Sequence, residues 1–327
     1  MRAIWYETHG RAEDVLTLSE LDEPKPGPGE VSVWIKASGV NPSDVKMRAG
    51  ARGPMAVARQ VPHSDGAGVI KAVGAGVDPA RIRQRVWAFN AAFQRAGGTC
   101  AEVCVLPVEL TAPLSNGVAF EAGAALGVPA LTAHRAVTAG GPVEGKVVMI
   151  TGGAGAVGNQ SIQLAKHFGA AQVLATVSSP EKAQAAWDAG ADEVIEYTAQ
   201  DVAEAVEAAT RGHGVDHIVE VEFGGNLNQS LAVLREHGSI AAYGSETERT
   251  PELAFYDLMF KNISVYSVFV YRLTLEQRAQ AVNDVVRALD AGALNPRIDR
   301  LFDLEEAADA HRRVEDGGKI GSVVVRI

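Results

Sequence analysis

The chain has 327 residues, of which 47% are hydrophobic and 21% are charged, and its formal net charge is -10. This length exceeds the usual size of one hydrophobic core, so two domains are expected, and the ordinary composition excludes a disordered or fibrous protein. The negative charge repels phosphate backbones and argues against nucleic acid as the main partner, which leaves a small molecule as the expected ligand.

The first part of the chain reads as β structure. Residues 1–7, 15–21 and 30–40 alternate or run apolar, and the PKPGPGE segment before the last of them has the composition of a turn. Helix signals are scarce before about residue 115. The two cysteines, Cys100 and Cys104, lie in a segment whose alternation suggests a strand, with their side chains about 13 Å apart, too far for a disulfide. With no leader and no long apolar run, this cysteine usage predicts a cytoplasmic protein with no membrane span.

From residue 147 the pattern changes to strands alternating with helices. Predicted strands lie at 147–150, 172–179, 193–197, 216–223, 239–244 and 263–270, with helices at 157–169, 179–190, 201–210 and 226–238 between them. This alternation predicts a parallel sheet covered by helices on both faces, and six strands make a complete dinucleotide-binding domain. We place that domain at 123–265.

The rest of the chain, residues 1–122 and 266–327, is assigned to a second domain into which the first is inserted. Thr274 and Gln277 have capping-box spacing and begin a helix. Its expected packing stripe is Leu275, Ala279, Val282, Val286 and Leu289. The closing helix at 304–318 and strand at 319–327 cannot easily extend a completed six-stranded sheet, so they are assigned to the N-terminal β domain.

A glycine turn carries the clearest functional signal. Gly153, Gly155 and Gly158 have the G-x-G-x-x-G spacing, directly after an apolar strand and directly before a helix. We expect Gly153 to permit the tight turn, Gly155 to admit a pyrophosphate, and Gly158 to let helix and strand pack closely. The cofactor-binding turn is therefore Gly153, Ala154, Gly155, Ala156, Val157 and Gly158.

The end of the second strand of this domain distinguishes NAD from NADP. An acidic residue there binds the ribose 2′-hydroxyl of NAD, but this chain has Ser178 and Ser179. Ser178, Lys182 and Tyr197 are the expected ligands of a 2′-phosphate, so NADPH is the favoured cofactor. The alternative interpretation makes Ser179 an N-cap before Pro180, which we prefer for Ser179, and leaves Lys182 on a solvated face.

Several segments together resemble the medium-chain dehydrogenase/reductase superfamily, and within it the zinc-independent quinone oxidoreductase or zeta-crystallin-like family. They are PKPGPGEVSVWIKASGVNPSD, PHSDGAGVIKAVGAGV, LGVPALTAHRAV, the GGAGAVG turn and the terminal LEEAADAHRRVEDGGKIGSVVV. The resemblance implies an α/β fold in which a Rossmann doubly wound parallel sheet is inserted in a GroES-like partly open β-barrel domain. It also implies a homodimer.

The departures from the zinc-dependent dehydrogenases are informative. Asn41, Ser64 and Val128 stand where those enzymes have their zinc ligands, so no catalytic zinc is expected. His63 lies one position from the ligand site and lacks thiolate or histidine neighbours in the sequence, so it is not expected to bind metal.

The resemblance also implies the remaining site residues. The nicotinamide is expected between Thr132 and the segment Val268, Phe269 and Val270, with further cofactor contacts from Gly224, Gly244 and Ser245. Asn41 matches the asparagine of the family's G-V-N-P-x-D motif, where its amide orients the cofactor or binds the substrate carbonyl; a structural turn role is equally open. Lys46 replaces a common tyrosine and is either a cationic proton donor or a solvated lysine. Lys319 is a further candidate cofactor ligand.

The expected function is zinc-free hydride transfer from NADPH to a quinone or an activated enone. Such acceptors give a delocalised phenolate or enolate, which one or two hydrogen-bond donors can stabilise without a Lewis acid. Two alternatives stay open: an enoyl or alkenal C=C reductase of the same superfamily, and a non-catalytic NADPH-binding protein.

Overall fold

The computed structural model describes all 327 residues, Met1–Ile327. The chain divides into two compact units, one formed by Met1–Val128 with Pro296–Ile327 and the other by Pro129–Asn295. The structure has no helix with the length and apolar character needed to cross a membrane.

The first unit is built mainly of antiparallel strands. Its elements are β1 (Arg2–Trp5), α1 (Ala12–Val15), β2 (Thr17–Glu20), β3 (Glu30–Val40), α2 (Pro42–Arg48), β4 (Asp65–Val73), β5 (Arg85–Ala88), β6 (Val103–Pro107), β7 (Thr111–Pro113), α3 (Phe120–Ala124), β14 (Ile298–Asp303), α11 (Ala307–Glu315) and β15 (Ser322–Arg326). The main sheet has the order β14-β15-β3-β4-β5-β7, with β6 also paired to β3. β3 lies inside this sheet, and most of its eleven residues are therefore buried.

The second unit contains the parallel sheet. Its elements are α4 (Gly127–Thr138, which begins in the first unit), β8 (Val147–Ile150), α5 (Ala156–His167), β9 (Gln172–Val177), α6 (Pro180–Asp188), β10 (Glu193–Glu196), α7 (Val202–Thr210), β11 (Val215–Glu220), α8 (Phe223–Val233), β12 (Leu234–Ala242), α9 (Phe255–Phe260), β13 (Ser264–Ser267) and α10 (Leu275–Asp290). The strand order β10-β9-β8-β11-β12-β13 is the doubly wound order, and all five pairings are parallel. The α/β fold class is confirmed.

The structure moves both domain boundaries, because the second unit spans Pro129–Asn295 rather than 123–265. The sequence division places α10 with the N-terminal β domain, whereas it belongs to the second unit. The reason is a buried polar contact, because His134 Nε2 on α4 lies 2.8 Å from Asp284 Oδ2 on α10. The closing helix α11 and strand β15 belong to the first unit, where β15 pairs with β3.

The expected packing stripe of α10 is correct only at Leu289, although the capping box is confirmed. Thr274 Oγ1 accepts from the Gln277 N–H and Gln277 Oε1 accepts from the Thr274 N–H. The buried residues are Ala281, Asp284, Val285, Ala288 and Leu289, while Leu275 is 76% exposed. A pattern of apolar residues alone cannot find this face because a buried aspartate lies at its centre.

Other elements also differ from the sequence prediction. The predicted helix at 226–238 ends at Val233, since residues 234–242 form β12. The prediction omits α9 and β14, which are short and lack a clear period.

Candidate functional site

The glycine turn joins β8 to α5 and is shaped by close packing. Gly152, not Gly153, has the positive φ of 67° that only glycine adopts easily, so the tight turn depends on Gly152. Gly153 is needed for space, because an added Cβ would lie 2.8 Å from the Cβ of Ala175 on β9. At Gly158 an added Cβ would lie 2.2 Å from the Gly152 carbonyl oxygen, which confirms the close packing expected there.

Gly155 is different from its neighbours in the turn. An added Cβ would meet only the Gly152 carbonyl oxygen, at 3.4 Å, so the space beside Gly155 is open. Gly155 is also the N-cap residue of α5, whose first amide groups follow it. Ala156 and Val157 form the first turn of this helix, and Ala154 is buried. An open N-terminus of a twelve-residue helix suits an anion.

The end of β9 brings two of the predicted phosphate ligands together. Lys182 Nζ donates to Ser178 Oγ at 2.7 Å. Tyr197 is 52% exposed, and its N–H donates to the Val177 carbonyl at 3.1 Å, which places it beside the same strand end. Ser179 is the N-cap of α6, accepting from the Lys182 N–H, so the capping interpretation of Ser179 is confirmed.

The other predicted nucleotide contacts of the second unit lie at the same edge of its sheet. Gly224 is in the first turn of α8, after β11, and its N–H donates to Ser245 Oγ at 2.9 Å. Gly244 and Ser245 follow β12, and residues 268–270 follow β13 with Phe269 46% exposed. Because parallel strands end at one edge, these residues share the carboxyl edge with the glycine turn. Thr132 is buried within α4.

Glu220 is a residue that sequence reasoning missed. Its fully buried carboxylate accepts from Thr151 Oγ1 at 2.8 Å, the Glu222 N–H at 2.7 Å and Asn226 Nδ2 at 2.9 Å. Thr151 follows β8 and precedes the glycine turn, whereas the other two donors begin α8. Glu220 therefore joins two loops at the carboxyl edge. Its sequence signal is an acidic residue at the end of a strand, with hydroxyl and amide side chains near the neighbouring strand ends that can donate to it.

In the first unit, Asn41 lies between two buried carboxyl groups. Its Nδ2 donates to Asp65 Oδ2 at 2.7 Å, and its backbone N–H donates to Asp44 Oδ2 at 2.8 Å. The Ser64 N–H donates to Asp44 Oδ1 at 3.2 Å and the Val128 N–H donates to Asp65 Oδ2 at 2.7 Å. The three positions that correspond to zinc ligands in the dehydrogenases thus converge on two acids.

Burial governs the charge of these acids. Desolvation raises the pKa of Asp44 to about 7, against the opposing effect of its hydrogen-bond donors. Desolvation and then the Asp44 charge hold the pKa of Asp65 well above its ordinary value. Sequence reasoning missed both residues as parts of the site, although Asp65 lies in the segment that resembles the dehydrogenase zinc motif.

His63 belongs to a buried hydrogen-bond chain. Its Nδ1 lies 2.8 Å from Ser38 Oγ, and its Nε2 lies 2.9 Å from Nε2 of His311. Ser38 Oγ lies 2.7 Å from Thr99 Oγ1, which donates to the Asp65 carbonyl oxygen at 2.5 Å. Since the Thr99 hydrogen is used there, Ser38 donates to Thr99, His63 Nδ1–H donates to Ser38, and His311 Nε2–H donates to His63. No group of three or more histidine, cysteine or acidic side chains is arranged to hold a metal ion.

The other two predicted lysines, Lys46 and Lys319, lie in the first unit. Lys46 is half-buried on α2, the helix that Asn41 begins, and Lys319 Nζ donates to the Gly321 carbonyl at 3.2 Å. Their functional roles stay predictions.

Comparison with known proteins places these features in a family. An alcohol dehydrogenase GroES-like domain model matches residues 27–116, and a zinc-binding dehydrogenase model matches residues 156–288. The chain is 30% identical to the quinone oxidoreductase of Rattus norvegicus, over 99% of this chain and 97% of that protein. It is 29% identical to a 2-haloacrylate reductase of a Burkholderia species, over 95% of each. A solved quinone oxidoreductase from Thermus thermophilus, described with its NADPH complex, covers all of both chains at 29% identity and a TM-score of 0.83.

Proposed function

The chain belongs to the quinone oxidoreductase, or zeta-crystallin-like, family of medium-chain dehydrogenases/reductases, and we propose that it is an NADPH-dependent enzyme that transfers hydride to a quinone or an activated enone without zinc. The observation that carries the proposal is the pairing of an open glycine turn with the Lys182–Ser178 contact at the next strand end.

The residues of the second unit fit NADPH. The open space at Gly155 and the N-terminus of α5 suit a pyrophosphate, and Lys182, Ser178 and Tyr197 suit a 2′-phosphate at the end of β9. The NADPH complex of the Thermus thermophilus relative supports this cofactor. When bound, NADPH supplies a hydride, and the protein contributes position and electrostatics.

The donor set of the first unit does not fit a catalytic zinc. The Asn41 amide is bonded to Asp65, and Ser64 and Val128 contribute backbone N–H groups to carboxyl oxygens, so the three positions supply no thiolate or imidazole. The matching family is described as a zinc-binding dehydrogenase, but these three residues do not have the side chains that bind zinc. We propose a zinc-independent reaction.

The hydrogen-bond donors of the first unit suit particular hydride acceptors. Hydride addition to a quinone or an enone gives a delocalised oxyanion, which a second Asn41 N–H or the Lys46 ammonium can stabilise. The 2-haloacrylate reductase relative favours a second candidate, reduction of an activated C=C bond. The two acceptor classes are separated by substrate preference.

The test is NADPH oxidation at 340 nm with metal-stripped protein. The acceptors are 1,4-benzoquinone, 9,10-phenanthrenequinone, 2-chloroacrylate, a 2-alkenal and a simple aldehyde, with NADH run in parallel. We expect chelator-insensitive turnover that is faster with NADPH, and absent with the simple aldehyde. Nucleotide binding with no turnover on any acceptor would instead identify a non-catalytic NADPH-binding protein.

We further propose a homodimer. An apolar patch lies on α9, its preceding loop and the edge strand β13, and consists of Leu253, Phe255, Tyr256, Met259, Phe260 and Val265, each more than 40% exposed. β13 pairs on one side only, so its other edge has unpaired backbone groups. An exposed apolar patch beside an open strand edge suits a second copy related by two-fold symmetry. Sedimentation equilibrium should give a dimer that Phe260→Glu dissociates, whereas Trp187→Glu, on α6 outside the patch, should not; a monomeric wild type would contradict the proposal.

The cytoplasmic location of the protein also stays a proposal. Both cysteines, Cys100 and Cys104, are free and buried, which is compatible with a reducing compartment.

A further inference from the structure

The carboxyl group of Asp65 has an unusual set of contacts. It is fully buried at the start of β4. Asn41 Nδ2 and the Val128 N–H both donate to the same oxygen, Oδ2, each at 2.7 Å. The other oxygen, Oδ1, is buried and has no hydrogen-bond partner. A buried polar atom without a partner is costly, so the arrangement requires an explanation beyond ordinary stability.

The two donors that Asp65 joins come from different elements. Asn41 precedes α2, and Val128 is in the first turn of α4. The backbone N–H of Asn41 is held separately by Asp44. Asp44 thus holds the main chain of Asn41 and forms a capping box with its side chain, whereas Asp65 accepts from its amide nitrogen.

Gly127 leaves room for this carboxyl group. A Cβ at position 127 would lie 2.0 Å from Asp65 Oδ1 and 2.4 Å from its Cγ. Any larger residue there must displace the carboxyl group or the start of α4. The absence of a side chain at Gly127 is therefore what allows the Asp65 carboxyl group to lie where it does.

We infer that Asp65 is a positioning residue that holds the Asn41 side-chain amide in one orientation, relative to the start of α4, for the reaction proposed above. An asparagine amide rotates freely about its terminal bond unless a partner fixes it, and its oxygen and nitrogen ends offer opposite hydrogen-bonding properties. Oδ2 of Asp65 accepts only from the nitrogen end of the amide. The Asn41 side chain also caps α2 through the Asp44 N–H, so its second N–H is fixed in the same plane, and a substrate or cofactor meets a preorganised donor. This inference rests on the proposed function.

Two substitutions at Asp65 separate the acceptor from the charge. Asp65→Leu is of similar size but removes the acceptor, so the amide nitrogen of Asn41 loses the bond that holds it. Asp65→Asn keeps one carbonyl oxygen, which can accept from both Asn41 and Val128. We expect D65L to lower kcat about 10- to 100-fold with little change in NADPH affinity, and D65N to recover most of that loss. Equal losses in D65L and D65N would overturn the inference, because the acceptor is present in only one of them.

A double-mutant cycle with Asn41→Ala tests whether Asp65 acts through Asn41. If it does, N41A loses activity to a similar extent, and D65L has no further effect in the N41A background. Independent, multiplicative losses would contradict the inference. Gly127→Ala is the second variant if D65L does not fold, since it displaces the carboxyl group without removing it, and it should reproduce the loss of kcat.

A measurement that does not require turnover separates this inference from the proposed function. In ¹H–¹⁵N spectra of the full chain, the Asn41 side-chain amide, assigned by its absence in N41A, should be protected from hydrogen exchange in the wild type and in D65N. It should lose that protection in G127A or D65L. A protected Asn41 amide in a wild type that reduces no acceptor would refute the proposed function alone, and an unprotected amide in an active wild type would refute the positioning role alone.

Discussion

Because His63 and His311 are buried together, we expect the protein to lose stability in acid, and one substitution measures the contribution of His63. His63 and His311 are both fully buried, and desolvation lowers the pKa of His63 to about 3. Desolvation is also the main cause that holds the pKa of His311 well below its ordinary value, and the neighbouring His63 contributes. A histidine with a lowered native pKa binds fewer protons when folded than when unfolded. Falling pH therefore favours the unfolded state, beginning near the unfolded pKa of about 6.5.

The magnitude follows from the His63 values. With pKa values of about 6.5 unfolded and about 3 folded, His63 lowers the free energy of unfolding by about 2 kcal/mol between pH 8 and pH 5. Asp44 acts in the opposite direction, because its raised native pKa of about 7 favours the folded state as pH falls. The pH profile of the wild type alone mixes these effects. The difference between wild type and a His63 variant largely removes the Asp44 contribution.

The perturbation is His63→Asn, since asparagine tolerates the positive φ of 75° at this position and cannot ionise. Urea unfolding followed by tryptophan fluorescence reports mainly on the first unit, which contains Trp5, Trp34 and Trp87 of the four tryptophans. We expect the variant to be about 1–3 kcal/mol less stable than wild type at pH 8 through lost hydrogen bonds. This deficit should shrink by about 2 kcal/mol at pH 5. A deficit that is the same at both pH values would refute the assignment of His63 as a buried neutral group.

Three further predictions concern the nucleotide site of the second unit. Gly155→Val should abolish NADPH binding in a calorimetric titration, because its side chain fills the open space proposed for the pyrophosphate. The far-UV circular dichroism should not change, since no protein atom is displaced, and unchanged affinity would remove Gly155 from the pyrophosphate site. Lys182→Ala should weaken NADPH about 10- to 100-fold and NADH much less, since only NADPH has the 2′-phosphate, and equal losses would contradict this role. Glu220→Leu should lower both stability and affinity for either nucleotide, because it releases the donors from both loops at the carboxyl edge; an unchanged thermal midpoint would show that these bonds contribute little.

The second unit was largely predictable because its elements follow regular periods. Strands such as β8 are short apolar runs, helices such as α6 begin with a capping residue and proline, and the glycine turn lies between the two kinds. The proximity of Ser178 and Lys182 was predictable for the same reason, since both occupy a fixed place after the second strand; their role at a 2′-phosphate stays a prediction. The exact glycine with positive φ was not predictable, because Gly152 and Gly153 are adjacent and the backbone register decides between them.

Buried polar residues account for most of what the sequence did not predict. Asp284 lies on the packed face of α10, and Asp65 and Glu220 lie within hydrogen-bond networks. Each is stabilised by a donor distant in sequence, such as His134 for Asp284, 150 positions away. An apolar pattern assigns such residues to the surface. Only the fold brings their donors to them.

The arrangement around Asn41 would keep the proposed active centre organised without metal ligands. A metal ion holds its protein ligands by strong bonds to one centre, and removing the ligand side chains removes that organisation. In this chain the three positions that resemble the zinc ligands contribute one side-chain amide and three backbone N–H groups, and all of these bond to the carboxyl oxygens of Asp44 and Asp65. In the zinc-free reaction proposed above, hydrogen bonds to two acids would replace bonds to one cation, with the direction of charge reversed. Both donors of Asp65 bond to the same oxygen, so a neutral Asp65 carboxyl group, protonated on the other oxygen, still has the carbonyl oxygen that accepts from Asn41 and Val128.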